Sequence, residues 1–256
     1  MNQETFQIFL WVMSAVALVV FIALYFVKAG YGMFRTASWG ISINNKLAWV
    51  LMEAPVFIVM FGLWGKSGAG FAVPVYFFFL LFQLHYLQRA FIFPFLLEGK
   101  SRMPVAIMAM GIVFNLLNGM MQAGGLFYFA PEGLYADGWA YLLKPHALLG
   151  IILFFAGMFV NLHSDYVIRH LRRPGDTKHY LPGKGLYRYV TSANYFGELV
   201  EWTGFAILTA SPAAWVFVWW TFANLVPRAD AIHRRYREEF GDEAVGKRKR
   251  IIPFLY

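Results

Sequence analysis

The long apolar runs of this chain constrain its fold more than any other feature. Seven runs can be traced, and each is long enough to cross the hydrocarbon core of a bilayer as an α-helix. They cover about residues 6–27, 46–64, 71–97, 103–122, 144–168, 193–210 and 213–232. Hydrophobic residues make up 59% of the 256 residues and charged residues only 14%, well below the charge of a typical soluble domain. The sequence therefore predicts an all-α integral membrane protein with seven transmembrane helices.

The segments between the runs are short and indicate one domain. None is a Ser/Gly-rich hinge and no internal repeat is visible, so we expect a single seven-helix domain over residues 1–256. No small-residue cleavage site follows the first run, which is therefore predicted to span the membrane rather than to be a signal peptide. The chain has no cysteine, and its six histidines are scattered without ligand spacing, so no metal site is predicted. We also expect no β-strand, and with it no Rossmann nucleotide site.

Basic residues are concentrated in alternate segments between the runs. The segments 28–46 and 98–102, the loop 169–192 and the C-terminal tail are basic, whereas 65–70 and 123–142 are poor in charge. The positive-inside rule then places the N-terminus outside and the C-terminus in the cytoplasm. The net charge of +8 suits an anionic membrane surface better than nucleic acid, and no nucleic-acid partner is expected. The loop is predicted to be able to bind an anion through six cations: Arg169, Arg172, Arg173, Lys178, Lys184 and Arg188.

Two stripes of polar residues flank that loop. The first follows one helix face at the end of the fifth run, at spacings of four, four and three: Asn161, Asp165, Arg169 and Arg172. The second lies in "TSANYFGELVEWTGFAIL", at spacings of four and three: Asn194, Glu198 and Glu201. Each stripe alone can be a helix-packing network. Two stripes converging on one side would instead frame a polar cavity, in which carboxylates accept ribose hydroxyls and arginines bind the phosphates of a nucleotide cofactor.

Two earlier spans also carry ionisable residues. Glu53 lies alone in the second run, in "AWVLMEAPVF", with no Lys or Arg at its expected depth. We predict a neutral carboxyl group that donates a hydrogen bond, the alternative being a pair with a basic residue of another span. In "FQLHYLQRAF", Tyr86 and Arg89 share one face of the third run, and His85 and Gln88 form a second pair one step round. Arg89 lies well inside the apolar run, which indicates that it faces the interior of the bundle.

Several longer motifs resemble one known family. "NLHSDYVIRHLRRPG", "LPGKGLYRYVTSANYFGELVEWTGFAI" and the terminal "IIPFLY" closely resemble the C-terminal half of the steroid 5α-reductases (3-oxo-5α-steroid 4-dehydrogenases). "AWVLMEAP" and "LHYLQRAF" match more sparsely in the N-terminal half. The resemblance implies an NADPH-dependent enzyme that reduces the 4,5 double bond of 3-oxo-Δ4-steroids, with the cofactor in a cytoplasm-facing cavity of a seven-helix bundle. We expect a bacterial homologue.

The resemblance also implies roles for individual residues. Glu53 and Tyr86 would be the catalytic pair that holds the 3-oxo group. Trp49 and Trp202 would line the steroid slot, beside Met52, which stands where the vertebrate enzymes usually have a Gln. The implied cofactor contacts are Asn161, Asp165, Arg172, Asn194, Glu198, Arg89, Arg102, His233 and Tyr236.

Three other functions stay open at this point. The first is a reductase of another lipid or polyprenoid enone, and the second is a membrane methyltransferase using S-adenosylmethionine. The third is a transporter or lipid-binding protein whose polar stripes line a permeation path. The expected partners are a lipophilic, steroid-like substrate arriving from the bilayer and the membrane lipids, with no obligate protein partner. The expected location is the inner membrane of a bacterium, or the endoplasmic reticulum if the source is eukaryotic.

Overall fold

A computed structural model describes residues 1–172, 176 and 178–256, without the side chain of position 37. Arg173 of the predicted basic loop lies outside the described residues. The helices are α1 (Gln3–Phe26), α2 (Asn45–Ser67), α3 (Val75–Tyr86), α4 (Phe93–Leu96), α5 (Val105–Ala123), α6 (Trp139–Leu142), α7 (Pro145–Arg169), α8 (Ala193–Thr209), α9 (Pro212–Phe240) and α10 (Asp242–Val245). A π-helical segment, Leu87–Ile92, joins α3 to α4, and a second, Gly124–Tyr128, extends α5.

Within the described part of the chain, five helical stretches are long and apolar enough to cross a membrane. They are Gln3–Phe26, Asn45–Ser67, Val75–Leu96, Val105–Tyr128 and Pro145–Arg169. They coincide with the first five predicted spans to within a few residues. The helices α8 and α9 occupy the sixth and seventh predicted segments, and α9 continues to Phe240, beyond the predicted end at 232. The protein is thus a mostly helical, multi-pass membrane protein.

The prediction that the chain has no β-strand was wrong. Strand β1 (Ser42–Asn44) pairs antiparallel with strand β2 (Arg102–Pro104), with Ile43 opposite Met103. The two strands belong to the segments that precede α2 and α5, two helices that pack side by side. Met103 is fully buried there. Pairing satisfies backbone groups that would otherwise be left unbonded beside an apolar cluster, which explains why two such short segments are extended.

Glycines bring α7 and α8 into direct backbone contact. A Cβ atom on Gly157 would lie 2.2 Å from the backbone nitrogen of Glu201, and one on Gly197 would lie 2.4 Å from that of Asn161. Gly150 of α7 and Gly204 of α8 have equally short approaches. Small residues allow such contacts between transmembrane helices. The contact turns the polar stripe of α7 towards the polar stripe of α8.

The C-terminal tail returns to the start of α8. Lys249 pairs in parallel with Val190, and the backbone nitrogen of Thr191 donates to the carbonyl oxygen of Lys249 at 2.9 Å. Ile251, which follows, is fully buried. The tail therefore closes the end of the bundle at which the α7 stripe ends and the α8 stripe begins.

Candidate active site

The two stripes meet in a set of hydrogen bonds that we call the α7–α8 polar cluster (Asn161, Asp165, Asn194 and Arg89). The Asn161 amide nitrogen donates to the backbone oxygen of Asn194 at 3.0 Å. The Asn194 amide nitrogen donates to one carboxylate oxygen of Asp165 at 3.1 Å. The Arg89 guanidinium donates to the other Asp165 oxygen, also at 3.1 Å. The structure thus brings together four of the predicted cofactor contacts.

Arg89 is held from three sides within the bundle. Besides the Asp165 carboxylate, its guanidinium lies 4.9 Å from the ring centroid of Trp49 and 4.6 Å from that of Phe93. The side chain is only 12% exposed. Cation–π contacts of this kind strengthen when water is excluded. A predicted substrate residue, Trp49, and a predicted cofactor residue, Arg89, are therefore in contact.

The π-helical segment changes the face on which Arg89 lies. Tyr86 and Arg89 were predicted to share one face of the third span. Tyr86 ends α3 and contacts Asn118 of α5, whereas Arg89 lies inside the π segment and contacts Asp165 of α7. A π turn holds one residue more than an α turn and shifts the side chains that follow it.

The predicted catalytic pair is held by a second set of side chains, the α5 amide cluster (Asn115, Asn118 and Gln122). The Asn115 amide nitrogen donates to the Glu53 carboxyl group at 3.2 Å and to the backbone oxygen of Met52 at 2.7 Å. The Asn118 amide nitrogen donates to the Tyr86 hydroxyl at 3.2 Å. Both residues lie on one face of α5, three residues apart, and so face two neighbouring helices at once.

Gln122 fixes the orientation of the Asn118 amide. Its amide nitrogen donates to the Asn118 side-chain oxygen at 3.4 Å and to the backbone oxygen of Ala213 at 3.0 Å. Because the Asn118 oxygen is engaged, its NH₂ group faces Tyr86. Sequence analysis missed these amides. Their spacing of three and four inside an apolar run is the signal that would have identified them.

A buried acid–base pair links α3 to α8. His85 Nδ1 lies 2.8 Å from one carboxylate oxygen of Glu201, and Glu201 is fully buried. The His85 ring packs against the Trp202 ring, with centroids 4.5 Å apart. Sequence analysis named His85 only as the neighbour of Gln88 on one helix face, and Glu201 only as part of a stripe. Nothing in the sequence pairs two residues that are 116 positions apart.

Trp202, predicted to line the substrate slot, lies in the aromatic core. It is 1% exposed, and its ring contacts Phe82, Phe217 and Tyr86. Its indole nitrogen is buried and has no hydrogen-bond partner among the residues that the structure describes. Trp202 therefore supports the Tyr86 ring from the side of α8.

Glu198 differs from the other carboxylates of the site. It is half-buried, and it forms no hydrogen bond or ion pair with the described residues. An acceptor group of this kind suits a ligand that brings hydroxyl or amide donors.

Besides Glu198, four predicted cofactor contacts lie outside the two clusters. Arg102 and Arg172 are exposed, and Arg102 donates across the strand pair to the backbone oxygen of Ser42 at 3.1 Å. His233 and Tyr236 are buried on the part of α9 that extends past its predicted end. Burial lowers the pKa of His233, helped by nearby arginines, and burial raises the pKa of Tyr236 to about 12. Both side chains are therefore neutral near pH 7.

The basic loop supplies one buried residue that sequence analysis missed. The Tyr187 hydroxyl donates to the side-chain oxygen of Asn194 at 3.3 Å, and the residue is 1% exposed. Burial raises the pKa of Tyr187 well above its ordinary value, and the Asp165 carboxylate adds to this. The phenol therefore remains protonated, as its role as a donor to Asn194 requires.

An open groove of about 440 Å³ reaches the α7–α8 polar cluster from the outer face of the bundle. Its lining is mostly apolar and includes Ile92, Leu96, Phe159 and Leu162, with Asp165 at its inner end. Phe159 is 70% exposed at the rim. The groove therefore connects a surface suited to lipid with a buried carboxylate.

The fold and the site first define a class: a helical, multi-pass membrane protein with interlocking ionisable and amide side chains in its apolar interior. A family model described as 3-oxo-5-alpha-steroid 4-dehydrogenase matches residues 101–256. The chain is 36% identical to 3-oxo-5-alpha-steroid 4-dehydrogenase 1 of Bos taurus, over 94% of this chain and 93% of that protein. It is 37% identical to the protein of that name from Homo sapiens, over 88% and 86%, and 36% identical to a steroid 5-alpha-reductase of Gossypium hirsutum, over 100% and 99%.

The chain therefore belongs to the 3-oxo-5-alpha-steroid 4-dehydrogenase family, a family of oxidoreductases. The resemblance inferred from the motifs is confirmed, and so is the prediction of an enzyme. The family model begins after Glu53, Tyr86 and Arg89. The relatives nevertheless match almost the whole chain, so the N-terminal half that carries these residues is also similar to them.

Proposed function

We propose that this protein reduces the 4,5 double bond of 3-oxo-Δ4-steroids with NADPH and yields 5α-dihydrosteroids. The names of the relatives from three organisms support the reaction. Negative charge develops on the 3-oxo group as hydride reaches C5, so the site needs a hydrogen-bond donor at that oxygen and few competing waters. Tyr86 and Glu53 are the residues that we assign to this position.

The hydrogen-bond pattern of Tyr86 carries the proposal. Its hydroxyl accepts from Asn118, and among the described residues it donates to none. A buried hydroxyl that is oriented by an accepted hydrogen bond keeps its own proton for a ligand. That proton is the donor that a developing enolate oxygen requires. Glu53, held by Asn115, adds a carboxyl group, which in its neutral form is a second donor.

The polar groups of the α7–α8 polar cluster fit a nucleotide. The carboxylate and amide groups of Asp165 and Asn194, together with the carboxylate of Glu198 outside the cluster, match ribose hydroxyls and a carboxamide, and guanidinium groups match phosphates. Glu198, without a partner among the described residues, is a carboxylate that is available to a ligand. We assign the further contacts to Asn161, Arg89, Arg102, Arg172, His233 and Tyr236. When bound, NADPH supplies the hydride for C5.

The substrate is proposed to approach from the bilayer. The groove at Phe159 and Leu162 is mostly apolar, and its polar side chains include Gln88, His163, Asp165 and Arg169. Such a lining matches a rigid hydrocarbon that carries a carbonyl group. Trp49 and Met52 on α2 would border the steroid, with Trp202 supporting Tyr86 from behind. Met52 offers no hydrogen bond from its side chain, so its part of the slot is suited to hydrocarbon.

We further propose that α8 and α9 complete a single seven-helix domain over residues 1–256. The backbone contact of α8 with α7 supports this, because α8 then lies at the depth of a helix that can cross the membrane. The distribution of basic residues supports an external N-terminus and a cytoplasmic C-terminus. The membrane is proposed to be the inner membrane of a bacterium, or the endoplasmic reticulum for a eukaryotic source.

A turnover assay with two tyrosine variants tests the function. Full-length protein in mild detergent would be given NADPH and progesterone, and the 5α-dihydro product would be measured by mass spectrometry. Tyr86→Phe should lower turnover about a hundredfold or more, as loss of an oxyanion donor does elsewhere. Tyr141→Phe is the matched control, because Tyr141 is also buried but donates to a backbone oxygen, that of Leu208.

The outcomes separate the alternatives. Product only with both components, and its loss in Tyr86→Phe alone, supports the proposal. Tight NADPH binding without steroid product would favour another lipid or polyprenoid enone. Methyl transfer from S-adenosylmethionine, without oxidation of NADPH, would contradict the proposal. Membership of an oxidoreductase family argues against methyl transfer.

A further inference from the structure

A basic cavity lies at the C-terminal tail, away from the two clusters of the candidate site. It has a volume of about 560 Å³ and is lined by Arg188, Tyr189, residues 244–249 and Phe254. We call it the tail cavity. Its lining includes four cations, Arg188, Lys247, Arg248 and Lys249, and no carboxylate side chain. The catalytic proposal uses none of these residues.

The four cations are not neutralised within the described part of the chain. None of them forms a salt bridge there, although eight such pairs occur elsewhere. Arg248 donates to the backbone oxygen of Pro182 at 3.1 Å, which orders its guanidinium without cancelling its charge. Unneutralised cations around one concave surface attract an anion, most effectively one with several oxygen acceptors.

Large apolar side chains are exposed at the rim of the same cavity. Phe254 is 74% exposed and its neighbour Leu255 is 76% exposed. Tyr189 lies beside Phe254, with ring centroids 5.2 Å apart. Exposed aromatic and aliphatic side chains beside cations are typical of a surface that inserts into the interface of a membrane.

The tail packs on the membrane-spanning bundle at that level. Ile252 and Tyr256 lie in an apolar cluster with Phe21 of α1, one of the helices that can cross the membrane. The backbone nitrogen of Ser192, just before α8, donates to the oxygen of Arg250 at 3.1 Å. The cavity is therefore fixed beside the ends of spanning helices, where lipid headgroups lie.

We propose that the tail cavity binds the headgroup of an anionic phospholipid. The phosphate would lie among Arg188, Lys247 and Lys249, and the start of an acyl chain would lie against Phe254 and Leu255. The apolar rim distinguishes a lipid from a soluble phosphate compound, which would gain nothing from it. The inference does not depend on the catalytic proposal.

Native mass spectrometry of the full-length protein in detergent tests the inference. Dioleoylphosphatidylglycerol should bind with a lower Kd than dioleoylphosphatidylcholine, which carries no net charge. Each basic residue near an anionic surface contributes roughly 1 kcal/mol, or about fivefold in affinity. The double variant Lys247→Gln/Lys249→Gln should therefore weaken binding of phosphatidylglycerol about 25-fold. Phe254→Ser/Leu255→Ser should also weaken it, with every charge retained.

A charge-matched control separates a site from general attraction. Lys28→Gln/Lys100→Gln removes two exposed lysines from the other basic segments and should leave the Kd for phosphatidylglycerol within about twofold. Equal binding of both lipids, or equal weakening by the two double variants, would overturn the proposal. So would competition by glycerol 3-phosphate at the concentrations at which the lipid binds, since this would show a site for a soluble phosphate.

Discussion

The α5 amide cluster and the α7–α8 polar cluster use similar side chains but are positioned in different ways. In the α7–α8 polar cluster, glycines allow two backbones to touch, and polar groups such as Asn161 and Asn194 meet as a consequence. In the α5 amide cluster, side chains reach across to other helices, as Asn115 does to Glu53 and Asn118 to Tyr86. One cluster is set by backbone packing and the other by a series of hydrogen bonds.

This difference suggests that the two clusters have different functions. Backbone contact gives a rigid wall on which groups such as Glu198 can be left without a protein partner, as a large ligand requires. Amide bonds hold individual groups, Glu53 and Tyr86, in defined orientations, as transition-state stabilisation requires. Breaking the backbone contact should therefore damage folding, whereas breaking an amide bond should chiefly damage turnover.

The largest effect is expected at the His85–Glu201 pair, which links α3 to α8. His85→Leu leaves a fully buried carboxylate without its partner and should lower the free energy of unfolding by about 3–5 kcal/mol. His85→Leu/Glu201→Leu removes the charge as well and should recover part of that loss. Thermal unfolding in detergent would measure both. A double variant less stable than the single one would show that the pair stabilises the fold by packing rather than by charge.

Gly157→Ala comes next and tests the backbone contact. The added methyl group meets the backbone of α8 at 2.2 Å, and backbone atoms cannot rotate away. Overpacking of this kind costs about 1–3 kcal/mol, and we expect the upper end. Gly62→Ala is the matched control, because its Cβ atom would meet nothing within 4 Å and alanine favours a helix. Equal unfolding temperatures for the two variants would mean that α7 and α8 do not touch as described.

The helices were largely predictable from the sequence, because apolar runs of membrane length fold in few ways. The predicted spans and the observed helices differ by only a few residues at most ends. The exceptions have local causes: α9 continues as a charged helix beyond residue 232, and the π segment at Arg89 breaks the regular spacing. The strand pair was missed because three residues give no readable alternation.

The contacts within the candidate site were less predictable from the sequence than the residues that form it. Spacing placed Asp165 and Asn194 on polar faces, and these faces do meet. The sequence could not show that Gly157 and Gly197 allow the meeting, since a glycine's role depends on what lies opposite. Asn118 could have been found by its spacing from Asn115. The partners His85 and Glu201 could not, because they share no local pattern.

Asn118→Leu tests the amide cluster by turnover. The change keeps the size of the side chain but removes the hydrogen bond that orients the Tyr86 hydroxyl. Steroid turnover should fall about tenfold, less than in Tyr86→Phe, while the Kd for NADPH stays the same. Asn224→Leu, on α9, removes an amide that, among the described residues, bonds only within its own helix, and the change should have little effect. A raised Kd for NADPH with unchanged turnover would show that Asn118 acts on the cofactor and not on Tyr86.

Arg172→Ala should have the smallest effect, because Arg172 is an exposed residue beyond the end of α7. If it meets a phosphate of NADPH, the Kd for NADPH should rise about fivefold to tenfold at low salt, and by less at high salt, where an exposed charge is screened. Titration of the intrinsic fluorescence with NADPH at two ionic strengths would measure this. Arg35→Ala, another exposed arginine, is the control. If both variants change the Kd equally, Arg172 acts only through the overall positive field, and the phosphates are bound nearer to Arg89.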